Sequence, residues 1–292
     1  MKRTVGSSGL QVAPVGWGGM PLSLPPRPTE SDAVALIRTG LDLGVDFIDT
    51  ADVYCRDDGD IGHNERLFAR ALHDHPARTN VLVATKGGLC RPGGRWLAAG
   101  RPEALRAACE RSLRALGVEQ ITLYQLHAPD PDVPFADSVG ELFRLREEGK
   151  IVHVGLSNVS AEELGAGLSV GPIVSVQNQM HPLDLSAVHD GVLAACERTG
   201  VAFIAYSPVG GGAERREVLG HPALVAAGAN LGVGAGTVAL AWLLSLSPCI
   251  LTIPGSSRLD TLRASLAARG LVLPPVLRAQ LDDTFGHSRP AA

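Results

Sequence analysis

Asp49, Tyr54, Lys86 and His127 are the residues whose types and spacing could do chemistry. Each stands at the end of, or just after, a short apolar run: Val45-Asp46-Phe47-Ile48, Val81-Leu82-Val83-Ala84-Thr85 and Ile121-Thr122-Leu123-Tyr124-Gln125-Leu126. A stretch that reads as helix follows each run. Ionisable groups at the carboxyl ends of successive parallel strands are where a (β/α)8 barrel keeps its chemistry. A Tyr, a Lys, an Asp and a His converging at one mouth can make a phenol into a proton donor near neutral pH. That is the requirement for reducing a carbonyl with a hydride. Taken singly, each residue has a plainer reading. Asp49 fits a helix cap or an ion-pair partner, Tyr54 a packing aromatic, Lys86 a surface lysine and His127 a satisfied core histidine. All four plain readings would have to hold together, each at a strand end.

The elements that must position these groups alternate along the chain. Residues 3–12 read as a hairpin turning at Ser7-Ser8-Gly9. Strand-like apolar segments follow at 14–18, 45–49, 80–85, 121–127, 152–157, 173–178, 201–206 and 249–253. Amphipathic stretches lie between them at 30–43, 63–73, 102–116, 136–148, 161–168, 186–199, 235–246 and 258–268. Acids and proline mark helix starts in Thr29-Glu30-Ser31-Asp32, Arg101-Pro102-Glu103 and Ser160-Ala161-Glu162-Glu163. Gly44, Gly117, Gly149 and Gly200 mark helix ends. Eight such units predict a closed α/β barrel, a (β/α)8 TIM barrel, with the hairpin closing its amino-terminal bottom. A doubly wound sheet would need a G-x-G-x-x-G turn after the first strand, and Gly16-Trp17-Gly18-Gly19 leads instead into Pro21 and a loop. The long connections at 52–62, 86–101 and 206–222 are expected at the catalytic mouth. The tail after residue 286 is expected to be frayed.

The bulk numbers suit this reading. The 292 residues accommodate one barrel of roughly 250 residues plus loops, so residues 1–292 are read as a single domain. Hydrophobic residues make up 45% and charged residues 19%, which excludes a disordered chain. Net charge is −4 without long basic or acidic runs, so nothing points to nucleic acid or an anionic membrane surface. The start, Met1-Lys2-Arg3-Thr4-Val5, has no apolar core of a secretory signal, and Thr237–Leu246 falls far short of the ~20 residues that span a bilayer. Five cysteines, an odd number with no C-x-x-C pair, suit free thiols in a reducing compartment, and a cytoplasmic location is expected. Cys55 and Cys90 lie a few residues past Tyr54 and Lys86 and are expected at the pocket mouth, open to oxidation. The nine histidines show no metal-ligand spacing.

The motifs together resemble the aldo-keto reductase superfamily over nearly the whole chain, from the hairpin to about residue 270. The resemblance is carried by Asp49-Thr50-Ala51 with Tyr54, Ala84-Thr85-Lys86, Leu126-His127-Ala128-Pro129-Asp130 and Gly155-Leu156-Ser157-Asn158. It continues through Val176-Gln177-Asn178-Gln179, Ala205-Tyr206-Ser207-Pro208 and Ile253-Pro254-Gly255-Ser256-Ser257-Arg258. It implies an NADPH/NADP+-dependent oxidoreductase that reduces an aldehyde or ketone to an alcohol. Tyr54 would be the general acid and Lys86 would lower its pKa from the ordinary value of about 10. Asp49 would hold Lys86, and His127 would orient the carbonyl oxygen. Ser157, Asn158 and Gln177 would grip the nicotinamide carboxamide and Tyr206 would stack on its ring. Standing alone, Ser157-Asn158 also reads as a helix cap and Gln177 as a core amide. The loop Ser207-Pro208-Val209-Gly210-Gly211-Gly212 would offer its free backbone N–H groups to the pyrophosphate. Gly255, Ser256 and Arg258, at a helix start, would hold the adenosine 2′-phosphate, unless Ser256-Ser257 is only an N-cap. On the residues themselves, Trp17, Met20 and Trp96, with the loops at 87–100 and 207–222, should shape the pocket for a small-molecule carbonyl substrate, while Trp17 and Trp96 read equally well as packing residues.

The sequence departs from the family pattern in three places. Cys55 stands where relatives carry Gly, Ala264 and Ser265 stand where many carry Glu-Asn for adenine contacts, and the carboxyl-terminal loop is curtailed. A redox-sensing NADP(H)-binding regulatory subunit is one alternative function, but no sequence feature marks its docking surface; a barrel lyase or isomerase using the phosphate site is another, and it would leave Ser157-Asn158, Gln177 and Tyr206 without a purpose. A monomer or weak homo-oligomer is expected.

Overall fold

The computed structural model describes residues 2–212 and 214–287. Residues 288–292, read from sequence as a frayed tail, lie outside the described residues. The chain opens with β1 (Arg3–Thr4) and β2 (Gln11–Val12), an antiparallel hairpin. Its Val5 and Val12 are buried with Phe47, Leu82, Leu123, Val174, Ala202 and Leu251, so the hairpin closes the amino-terminal end of the barrel. At Gly6 even a β-carbon would lie 2.1 Å from the Val174 carbonyl oxygen, so only glycine lets the hairpin seat there.

The barrel strands are β3 (Trp17–Gly18), β4 (Phe47–Asp49), β5 (Leu82–Gly87), β8 (Ile121–Leu126), β9 (Ile151–Ser157), β10 (Ile173–Gln179), β11 (Ala202–Tyr206) and β12 (Ile250–Ile253). They pair in parallel in that order. Parallel bridges Val15–Thr252 and Gly18–Gly255 bring β3 back to β12 and close the ring. The ribbon β6 (Leu89–Cys90) and β7 (Leu97–Ala98) occupies the connection after β5, at the mouth.

The outer ring comprises α1 (Glu30–Asp42), α2 (His63–Leu72), α3 (Pro102–Leu116), α4 (Phe135–Glu147), α5 (Ala161–Val170), α6 (Ser186–His189), α7 (Val192–Thr199), α8 (Glu214–Gly220), α9 (Pro222–Leu231), α10 (Ala235–Leu246), α11 (Leu259–Ala267) and α12 (Pro275–Thr284). Thr29 caps α1 by accepting from the Asp32 N–H, and Ser160 and Glu163 form a capping box on α5. Two expectations are corrected. The segment 186–199 breaks into α6 and α7 at Gly191, whose φ of 79° is left-handed. The connection 206–222 ends in α8, and α9 follows it directly. A helix that the sequence reading did not place, α12, packs against α9, and its Asp282 accepts from the Trp242 indole of α10 at 2.8 Å. No single helix among the described residues is long and apolar enough to cross a membrane.

Candidate active site

Strand parity builds the mouth. Phe47, Leu82, Ala84, Leu123, Ile204 and Leu251 form the inner core of the barrel. Side chains alternate along a strand, so residues two further on also point inward. This places Asp49, Lys86, Gln125 and Tyr206 above that core, at the carboxyl ends. Gln177 pairs in register with Ser157, and Lys86 with Gln125. The groups converge on a cavity of about 350 Å3, lined among others by Asp49, Tyr54, His127, Ser157, Gln177 and Tyr206. A roomier groove of about 680 Å3 lies outside the barrel between α2 and α3 and holds none of these residues.

Lys86 is the hub. It is wholly buried, and its Nζ donates to Asp49 Oδ2 at 2.6 Å, to the Tyr54 hydroxyl oxygen at 2.9 Å and to the Thr50 carbonyl at 3.0 Å. All three ammonium hydrogens thus have acceptors. Gln177 Nε2 donates to the other Asp49 oxygen at 2.7 Å, which fixes the carboxylate from the far side of the barrel. Burial alone would depress Lys86, but the Asp49 carboxylate and the Tyr54 oxygen outweigh it and hold its pKa above the ordinary value. The site therefore carries a permanent ammonium against the phenol. For Tyr54, burial is the larger influence and raises its pKa, with Lys86 opposing. The expectation that Lys86 brings the phenol below its ordinary value is thus corrected for the protein alone. Burial also pushes the His127 imidazole well below its ordinary pKa, helped by the Lys86 charge, so it is neutral at physiological pH. The His127 and Tyr54 rings meet edge-on, with centroids 5.7 Å apart.

A second set of bonds orders the rim. Asn158 Nδ2 donates to the His127 carbonyl at 2.8 Å, and Asn158 Oδ1 accepts from the Tyr206 hydroxyl at 2.8 Å. Ser157 Oγ donates to the Gln177 carbonyl at 2.7 Å. Ser157-Asn158 is not a helix cap, because Ser160 caps α5. Asn158 and Ser207 both adopt positive φ, 58° and 47°, at the ends of β9 and β11. Such backbone strain in non-glycine residues clusters at functional sites. Ser207, Pro208, Val209 and Gly210 line the cavity, joined by Gly211, Gly212 and Arg215. A β-carbon on Gly210 would lie 2.8 Å from the Arg215 nitrogen, so this loop can fold back only as glycine.

Some expected residues stand elsewhere. Trp17 is buried outside the barrel wall, edge-on to Phe68, with its indole donating to the Ser256 carbonyl at 3.0 Å. Its register partner is Ile48, which also faces the helices, so Gly18 and not Trp17 reaches the cavity. Met20 and Trp96 do line it. Cys55 is fully buried with its thiol turned to the Val53 carbonyl, and burial pushes its pKa up to about 11. Neither Cys55 nor Cys90 lines the cavity. The cavity edge stops at Gly255. Ser256 Oγ is spent on the Arg258 backbone, donating to its carbonyl at 2.7 Å, while the Arg258 guanidinium is exposed and bonds to Thr261. Sequence reasoning missed Arg215 and also Asn64, which accepts from Thr50 Oγ1 at 2.6 Å and donates to the Gly19 carbonyl.

A family model for the aldo/keto reductase family matches residues 14–283. The chain belongs to this family. Among curated proteins it is similar to an uncharacterised oxidoreductase of Schizosaccharomyces pombe, 36% identical over 261 residues, covering 88% of this chain and 80% of that one. Among solved structures it resembles a thermostable aldo-keto reductase in complex with the inhibitor epalrestat, with TM-score 0.83 and 26% identity over 97% of this chain and 99% of that one. It also resembles an aldo/keto reductase from Klebsiella pneumoniae in complex with NADP and acetate, with TM-score 0.80 and 25% identity over 97% and 95% of the two chains. Membership makes the chain an oxidoreductase of the (β/α)8 barrel type.

Proposed function

We propose that residues 1–292 act as one NADPH-dependent carbonyl reductase unit, converting an aldehyde or ketone to an alcohol with Tyr54 as the proton donor. The observation that carries this reading is the buried Lys86, bonded at once to Asp49 and to the Tyr54 oxygen beneath an open cavity. Because the phenol oxygen accepts from Lys86, its own O–H hydrogen is free to donate into the cavity. A substrate carbonyl lodged there would accept from Tyr54. As negative charge develops on that oxygen, the fixed Lys86 ammonium stabilises the phenolate left behind, in a site where little dipole reorganisation is needed. The neutral His127 donates a second hydrogen bond to the carbonyl oxygen without competing as the acid. NADPH bound in the cavity supplies the hydride.

The residues present fit that cofactor. Ser157, Asn158 and Gln177 offer amide and hydroxyl groups for a carboxamide, and Tyr206 offers a flat ring at the rim. The Gly210–Gly212 turn leaves room for a diphosphate against backbone N–H groups, and Arg215 supplies a cation beside it. The exposed Arg258, at the start of α11, is placed for a 2′-phosphate just beyond the cavity edge. The experiment is to incubate the protein with NADPH and a panel of aromatic and aliphatic aldehydes. Loss of NADPH absorbance with equimolar alcohol is expected, and no turnover of any carbonyl would refute the reading.

A further inference from the structure

Arg91 is an arginine buried without an acid. It is 5% exposed, and its Nη2 donates to the carbonyls of Cys55 and Arg56 at 3.4 and 3.1 Å. Its Nε and Nη1 are sealed from solvent and have no partner among the described residues. The neighbouring acidic loop does not neutralise it. Asp60 pairs with Arg27 at 2.5 Å, and Asp57 accepts from the Gly59 N–H at 3.0 Å. A buried guanidinium is ordinarily matched by a carboxylate, since an unmatched buried charge is costly.

The position of this charge gives it a use. The Arg91 guanidinium lies over the Trp96 ring, 3.9 Å from its centroid. Trp96 lines the cavity, and its ring stands 6.4 Å from Tyr54 and 6.2 Å from His127, centroid to centroid. Trp96 is itself 43% exposed, so the stack with Arg91 is what fixes the ring as a wall. A ring between a buried cation and a partly desolvated cavity does little to screen the field. Among the charged side chains lining the cavity, Asp49 is committed to Lys86, so no free carboxylate opposes that field.

We propose that Arg91, acting through Trp96, selects carbonyl substrates that carry a carboxylate. Trp96 receives the body of the substrate beside Tyr54 and His127, and Arg91 behind it supplies the positive potential that retains the anionic end. Arg91 touches no reacting atom; it is a positioning and specificity residue. The proposal rests on the reductase reading above, but it concerns the charge of the ligand and not the hydride step.

Benzoate and benzamide test it, because they share a shape, differ in charge and carry no reducible aldehyde. Binding of each to the full chain is measured by titration calorimetry in wild type, Arg91→Met and Arg91→Lys. Wild type should favour benzoate by about tenfold, the scale of opposite charges separated by several ångströms of protein. Arg91→Met should bring the ratio near one, and Arg91→Lys should retain most of the preference because it keeps the charge. If Arg91→Met does not fold, Arg91→Gln takes its place. A wild type that binds the two equally, a ratio that survives in Arg91→Met, or an Arg91→Lys protein that matches Arg91→Met would each overturn the proposal. In parallel, kcat/KM with NADPH for 4-carboxybenzaldehyde over its methyl ester should follow the same ratios. A benzoate preference that depends on Arg91, with no turnover of either aldehyde, would uphold charge selection and count against the reductase reading.

Discussion

Asp49 and Asp52 are three residues apart and both are out of reach of solvent, at 1% and 0% exposure, yet they inhabit opposite surroundings. Asp49 points into the barrel, where an equally buried Lys86 meets it at 2.6 Å and Gln177 donates to its second oxygen. Asp52 points into the wall between the barrel and helices α2 and α3. Its cation, Arg111, stands 3.4 Å away with 44% of its side chain in solvent, and its Oδ1 has no partner among the described residues. Burial, with the nearby Glu65 charge adding to it, pushes Asp52 up to about 8, so it carries a proton at neutral pH. The lesson is that burial alone does not decide ionisation. A carboxyl in the dry interior becomes an electrostatic tool where a cation and hydrogen-bond donors are built around it; without them it takes up a proton.

Removing the cation should make the inner region behave like the outer one. Lys86→Met leaves Asp49 buried and unpaired, so stability should fall by roughly 3–5 kcal/mol in urea unfolding. Carbonyl reduction should fall by at least ~10²-fold because the phenol loses its partner. Unchanged stability would mean that Asp49 finds other support. The outer region gives a smaller effect that depends on pH. The folded-state pKa of Asp52 lies above its unfolded value, so between pH ~4 and ~8 the folded chain holds a proton that the unfolded chain releases. The Asp52 contribution to stability should therefore decline as pH rises through that window, by an amount on the order of a few kcal/mol. Asp52→Asn should remove most of the decline, and Glu65, also raised by burial, should supply what remains. A denaturation midpoint with the same pH slope in both proteins would contradict this. The smallest effect concerns Cys55, which shares the loop with both regions but is sealed from solvent. Its raised pKa and burial make the thiol inert, so a thiol reagent at neutral pH should change turnover by less than about twofold. Inactivation that bound NADPH prevents would reverse the assignment.

The barrel, and the convergence of Asp49, Tyr54, Lys86 and His127 at its mouth, were legible because long-period signals coincide there: apolar runs, glycine helix stops and ionisable residues at run ends. Trp17 was misplaced for a reason of parity. In a strand of two residues, a one-step shift moves a side chain from the cavity to the helix layer, and only the pairing of Trp17 with Ile48 reveals which face it takes. Helix α9 escaped notice because its Ala- and Gly-rich sequence offers little contrast between faces, although Leu224, Ala227 and Gly228 are buried. Arg215 gave no signal because a cation in the first turn of a helix, here α8, acquires meaning only when that turn is brought to the cavity. That Arg91 is buried without a matching acid is invisible in sequence for the same reason. The tuning of Tyr54 was misjudged because sequence shows the neighbouring charge but not the depth of burial opposing it.

The central claim is that the Tyr54 hydroxyl delivers the proton while the rest of the site holds cofactor and substrate. Tyr54→Phe keeps the ring and deletes only that hydroxyl. NADPH affinity, read by quenching of protein fluorescence, should stay within about twofold of wild type, while single-turnover reduction of an aldehyde should fall by at least ~10²-fold. Combining it with Lys86→Met should add little further loss, since the two disable one unit. Near wild-type turnover in Tyr54→Phe, with activity abolished in His127→Ala, would contradict the account and make His127 the proton donor.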